Sequence, residues 1–527
     1  MKKATIYLAV IMYAAFFTKC INDTGNYSYQ DADAVAPIIL SEFEANYTAL
    51  MLESFVLDPQ VQGNEADYEY FWVAYPHGTT TQNRRDTIGR ERKLDYKMAL
   101  APGQYKLIFQ AKDKQTGTSA YMRTIITVSS VFSLGYFVNK YENGRTDVDF
   151  IDGSGVLHSN ILKTINGDDL PGKPIRSTFS DRYCYQTIDD EGKTVANNWV
   201  YMFMLCTDED MRIYKANDMT MLYDWDHAFM ELPAVKKPQG VWGNSSGFML
   251  LNNNQLHAVG GATYSDGRFG YAFPDEGIRL SEKGCTVTSN MMFLNENTGS
   301  IVGYSTTQDR YAYTQPYPGY EQHHFTNQEV LYFGTQHNYL NAATRGWALL
   351  RSKNEGEIGK LRLVDAATGS FNTYRSLVYF GSYQVPAEFN VGDGKVFCVQ
   401  NGGGTGAASS ITSILYYSTG DNKVHYYNQN NQTQKLNAVT IPDDEKIVYI
   451  HHNYDWACNN HPSYYHADAP NEFLVLSNKA DSWILRAYAM EGTTHDINAA
   501  AGPKKVYTGN GQATNLIYRE PHTMRTW

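Results

Sequence analysis

Between residues 38 and 130 the chain alternates polar and apolar positions over short runs broken by turn residues, the pattern of half-buried strands. YEYFWVAY, residues 68 to 75, is one predicted strand, with Trp72 between aromatic neighbours. QYKLIFQAKD, residues 104 to 113, is another, in which the period of two puts Tyr105, Leu107, Phe109 and Ala111 on one side. A turn at Thr116 and Gly117 leads into SAYMRTIITV, completing a hairpin. A central tryptophan and a Pro-Gly turn before a tyrosine-led strand predict an immunoglobulin-like β-sandwich over 38–130.

From 131 onward the pattern repeats. Strand openings recur as LGYFVNKY, NNWVYMFMLC, SGFMLLNNN, SNMMFLNE, RGWALLRSK, GKVFCVQN and EKIVYIHHN. Many are followed by a second alternating strand, as in GKLRLVDAATG and EFLVLSNKADSWILRAYAM. The interval, roughly fifty residues, is the size of a four-stranded propeller blade. Seven openings predict a seven-bladed β-propeller over 131–527, with six or eight blades left open by the uneven spacing. Period-two alternation rich in Tyr, Val, Thr and Gly excludes a helical solenoid. ATNLIY, residues 513 to 518, is predicted to join the first blade and close the ring.

The head of the chain differs. Lys2 and Lys3 precede ATIYLAVIMYAAFF, an apolar core of about fourteen residues, too short for a bilayer span and right for a secretory signal. Cleavage after residue 19 would leave Cys20 at the N-terminus, where lipoprotein processing acylates sulfur and amine; Phe17 and Lys19 stand where the usual lipobox has aliphatic and small residues. Several chains anchor firmly, at roughly 0.8 kcal/mol per buried methylene. Residues 20–37 are then a lipidated tether.

Composition excludes some partners and adds few. A net charge of -11 without a basic block argues against nucleic acid, whose phosphates need a basic footprint. Beyond Cys20, Cys184, Cys206, Cys285, Cys398 and Cys458 lack paired spacing and read as small buried hydrophobes rather than a disulfide framework. The 41 tyrosines suit strand packing, sugar stacking and peptide contact equally, so their number alone selects no ligand.

Two loops carry the candidate ligand-binding residues. In YAYTQPYPGYEQHHF, two prolines and a glycine stiffen a segment bearing Tyr313, Tyr317, Tyr320, His323 and His324, and preordered side chains lose little entropy on binding. In HHNYDWACNNHPSYYHAD, Tyr454, Trp456, Tyr464 and Tyr465 offer stacking faces. The histidines and Cys458 there match no zinc module, and adjacent His451 and His452 on a strand point to opposite faces, so no metal is expected. NGGGTGAASS lacks the Gly-Lys-Ser/Thr ending and following helix of a phosphate loop. The acidic runs DDEGK and PDDEK read as solvated connections, and no nucleophile elbow or His-Glu-x-x-His helix occurs, so neither catalytic residues nor a cofactor are expected.

Gly25 to Tyr29, the APGQYKLIFQAKDKQTG stretch and the junction SSVFSLGYFVNKYENGRTDVDFID together resemble the PKD-like family lipoproteins of Bacteroidota. The resemblance implies an outer-membrane lipoprotein facing the cell exterior, made in a nutrient-uptake locus beside a SusC/SusD-type pair, that is, a TonB-dependent transporter and its SusD-type lipoprotein. It assigns no catalytic residue. The expected function is non-catalytic capture of an oligosaccharide or peptide, or docking on the transporter. A propeller-based hydrolase or lyase acting on glycans is the alternative.

Overall fold

The computed structural model describes residues 38–527 except 42, 78–85, 189–190, 192, 245–246, 261–265, 271, 273–276, 288–289, 306–309, 317–323, 338–343, 369–376, 402–413, 455–470, 492–495 and 520–527. It divides into two units, one comprising the chain to Met98 with Gly103–Ser129, the other Ala99–Pro102 and everything from Ser130. Both are built of strands.

The first unit is a β-sandwich. Its larger sheet orders Asn46–Leu50, Ser119–Ser129, Gly103–Asp113, Tyr68–Pro76 and Asp86–Gly89, and the smaller pairs Ser54–Leu57 with Leu94–Lys97. Alternation in Gly103–Asp113 buries Leu107, Phe109 and Ala111, as the period of two requires. Trp72 is wholly buried, its ring 4.7 Å from Phe109 and 5.7 Å from Phe43. Its indole N–H donates to the Glu91 carbonyl at 2.9 Å, so burial leaves no polar atom unsatisfied. Asp113 fixes the hairpin by accepting from the Gln115 and Thr116 amides, while Gly117 takes the left-handed φ of 72° that the turn needs.

The second unit is a propeller of seven blades. From the axis outward, blade 1 runs Gln512–Arg519, Gly135–Glu142, Arg145–Asp152 and Leu157–His158. Blade 2 is Pro174–Ile188, Thr194–Thr207, Met211–Lys215 and Met221–Tyr223. Blade 3 is Pro238–Asn244, Gly247–Asn252 and Gln255–Gly260. Blade 4 is Leu280–Val287, Asn290–Asn295, Ser300–Ser305 and Arg310–Pro316, and blade 5 is Gln328–His337, Thr344–Ser352, Leu361–Thr368 and Leu377–Val385. Their outer strands also pair with each other, in parallel, over Thr314–Pro316 and Leu377–Tyr379. Blade 6 is Val396–Val399, Ile414–Ser418, Lys423–Asn428 and Thr433–Thr440, and blade 7 is Lys446–Tyr454, Asn471–Lys479, Ser482–Ala489 and Lys505–Asn510. The innermost strands touch in ring order, blade 1 against blades 2 and 7. The last strand of the chain thus completes the first blade, with Tyr518 opposite Tyr136 and Leu516 opposite Val138.

The core lies in slabs between successive blades. In blade 3, Phe248 and Leu250 face blade 2, whereas Met249 and Leu251 face blade 4. Both sides of such a strand are buried, so it reads as a continuous apolar run. Blades 1 and 2 are joined by Phe137, Phe150, Phe179 and Phe203, whose rings lie 4.5 to 5.5 Å apart along the cluster. Blades 7 and 1 share Trp483, Leu474, Tyr136 and Val138, and the Trp483 indole donates to Asp149 at 2.9 Å.

Candidate functional site: the propeller channel

Inner strands of all seven blades enclose a cavity of about 480 Å³ on the axis. That volume lies within the range of roughly 300–1,000 Å³ typical of small-ligand sites. Arg176 enters it from blade 2, Gln239 and Trp242 from blade 3, Glu282 and Lys283 from blade 4, and Tyr332 from blade 5. Lys395 and Phe397 come from blade 6, Tyr449, His451 and Asn453 from blade 7, and Asn515 and Tyr518 from blade 1.

Arg176 is one of three cations on the described wall, with Lys283 and Lys395, beside the carboxylate of Glu282. Its guanidinium carbon lies 5.3 Å from the centre of the Trp242 ring, a cation–π contact across two blades. Burial pulls its pKa below the ordinary value, opposed by Tyr449, Cys285 and Tyr332, groups on blades 7, 4 and 5. A guanidinium nevertheless stays charged at neutral pH. The Tyr332 hydroxyl accepts from the Val399 amide at 3.2 Å, keeping its own proton free to donate. Lys283 is engaged by the Val330 and Leu331 carbonyls at 3.2 and 2.9 Å, and Glu282 accepts from Gln239 at 3.1 Å.

His451 and His452 diverge as a strand requires. His451 lines the channel, where burial and then the neighbouring imidazole push its pKa down to about 4. His452 points away and is structural: the Asn401 amide donates to its Nδ1 at 3.0 Å, leaving Nε2–H to donate to Asn471 Oδ1 at 3.1 Å. Burial likewise lowers His452 to about 4, so both rings are neutral at neutral pH. Cys184, Cys206, Cys285 and Cys398 are free and buried, and burial raises Cys285 and Cys398 to about 12, which makes them unreactive. Among the described residues, no cluster of three or more His, Cys, Asp or Glu side chains could hold a metal.

The sequence-predicted binding residues fall largely elsewhere. Tyr313 has its backbone in the outer strand of blade 4, while Tyr317, Tyr320 and His323 lie outside the described residues. His324 is exposed, its Nδ1 3.0 Å from the Ser300 hydroxyl. Tyr454, half-buried at the end of blade 7's inner strand, has its ring 5.9 Å from that of His452; Trp456, Tyr464 and Tyr465 lie outside the described residues, as do Cys20 and Cys458. Pro316 ends the outer strand of blade 4 and Tyr454 the inner strand of blade 7, so the two loops leave different layers of different blades. One acidic run departs from its reading as a solvated connection: Glu445 of PDDEK is buried and takes a two-pronged bond from Arg486 at 2.6 and 2.7 Å. Desolvation would raise that carboxyl, yet the Arg486 fork and the Ser477 hydroxyl hold it below the usual range.

Arg176, Trp242, Tyr449 and Asn453 were not singled out by sequence. Their strands are less apolar than the second strands behind them, and only alignment on those second strands, one strand further back, could have indicated the channel wall.

No curated protein matches this chain. Among solved structures, a quinonprotein alcohol dehydrogenase-like protein from Bacteroides thetaiotaomicron is 11% identical, covering 92% of this chain and 100% of that one, with a TM-score of 0.43. Apo AztD from Citrobacter koseri is 10% identical over 86% of this chain and 97% of its own, with a TM-score of 0.32. Residues 20–174 match the PKD-like family, from Cys20 through the sandwich and the three N-terminal main strands of blade 1 to the first residue of blade 2.

Proposed function

We propose that this chain is a non-catalytic, lipid-anchored accessory protein of an outer-membrane nutrient-uptake system, facing the cell exterior, with the propeller channel as its ligand site. The observation that carries the reading is the channel wall: aromatic faces and hydrogen-bonding groups from seven blades converge there, with Glu282 the one carboxylate among its described lining residues. Glycosidases of the usual two-carboxylate kind need a pair roughly 5 to 9.5 Å apart. The wall therefore favours holding a ligand over hydrolysing one.

Anchoring through Cys20 would place the channel beside a transporter and raise the effective concentration of captured nutrient, so modest affinity suffices. The partners are a TonB-dependent transporter and its SusD-type lipoprotein, and the ligand is an oligosaccharide or peptide. The test is recovery of the intact lipoprotein from solubilised membranes, coupled to a glycan and peptide binding screen. Recovery of the transporter pair together with ligand binding is the expected result. The pair without ligand selects docking, turnover of a glycan selects the hydrolase or lyase, and recovery of neither removes the uptake role.

A further inference from the structure

Arg176 stands part-exposed on the channel wall. Among the described residues its side chain has no carboxylate within ion-pair range and no hydrogen bond, and its guanidinium stacks on the Trp242 ring. Stacking covers one face of the guanidinium and leaves its edge, where the N–H donors lie, free. A second donor on the cavity wall is more deeply placed: Asn453 is 3% exposed and its Nδ2 has no hydrogen-bond partner among the described residues. Both are donors. With His451 neutral, nothing titratable near Arg176 on blade 7 supplies a compensating negative charge at neutral pH.

We propose that the channel binds a carboxylate-bearing ligand, with Arg176 as the principal donor and Asn453 as a second donor on the blade 7 wall. A carboxylate accepts two parallel N–H bonds from a guanidinium fork and retains lone pairs for an amide donor. The channel would thereby discriminate an acidic sugar or acidic peptide from its neutral counterpart, because the neutral ligand leaves the guanidinium fork without a charged acceptor. This inference rests on the channel being the ligand site of the proposed function.

The test is calorimetric titration of the full chain with digalacturonate, neutral digalactose and a Glu-Glu dipeptide, in the wild type and in Arg176→Met and Arg176→Lys. At least one carboxylate probe is expected to bind saturably and digalactose not; the stronger carboxylate probe identifies the source as sugar acid or peptide. Arg176→Met is expected to weaken that binding roughly thirtyfold or more, the lower end for truncating one partner of a buried charge pair, and Arg176→Lys less. The melting temperature of Arg176→Met should stay close to the wild type's, since no ion pair or side-chain hydrogen bond is removed, and this separates a ligand role from a structural one. Saturable binding that survives Arg176→Met, or no saturable binding of either carboxylate probe, overturns the inference. Equal binding of digalactose overturns it while leaving capture by the channel intact, and transporter recovery from membranes is unaffected by any of these results.

Discussion

Deleting the chain from Gln512 onward is expected to leave the propeller without a cooperative fold. The lost strand is the innermost of blade 1, and it pairs along its length with Gly135–Glu142. Its removal exposes the edge of that strand and unseats contacts to the inner strands of blades 7 and 2. Ala513, Leu516 and Ile517 are each at most 7% exposed, and burying a Leu or Ile side chain contributes about 1.5–3 kcal/mol apiece. Those losses, with the ladder of backbone hydrogen bonds, are of the order of a domain's whole stability, about 5–15 kcal/mol. Leu516→Asp provides a graded version, costing more than about 3 kcal/mol through lost packing and a buried charge. Thermal unfolding followed by near-ultraviolet circular dichroism reads both; a truncated chain that retains the wild-type propeller transition would show that closure is not needed.

Lys140→Met is expected to destabilise blade 1 strongly. Lys140 Nζ lies 2.8 Å from Asp149 Oδ1, and both side chains are almost wholly inaccessible. Asp149 also accepts from the Asn160 amide and the Trp483 indole, both at 2.9 Å, so its carboxylate ties the blade to its own short helix, Ile161–Asn166, and to blade 7. Removing the lysine strands that carboxylate in the interior, a change that typically costs about 3–5 kcal/mol. Adding Asp149→Asn should recover part of the loss, because the amide is uncharged and its oxygen can still accept. Urea denaturation of the two variants measures the difference. Equal stability of Lys140→Met and wild type would mean that the pair is solvated.

Strand type, the two-part β architecture and ring closure were legible because each leaves a local signature. The second strands were loudest: Gly247–Asn252 and Ile414–Ser418 are buried throughout, between two inter-blade slabs. Five of the seven sequence openings fall on such second strands, but GKVFCVQN and EKIVYIHHN fall on inner strands, and this mixing contributes to the uneven intervals. The channel was not legible. Arg176 and Trp242 are 66 positions apart and meet only because adjacent blades bring their inner strands together, while Glu445 finds Arg486 across one blade. Local composition cannot show such pairings, and it favoured the aromatic loops, whose residues are conspicuous in sequence.

The proposed work beside a transporter depends on the chain being held at a membrane through Cys20. Intact-mass analysis of the mature protein extracted from membranes tests that dependence most directly. The predicted product lacks residues 1–19 and carries a diacylglycerol on the Cys20 sulfur with a further acyl chain on its amine. A mature protein with an unmodified Cys20, or one cut elsewhere and released from the membrane, would contradict it.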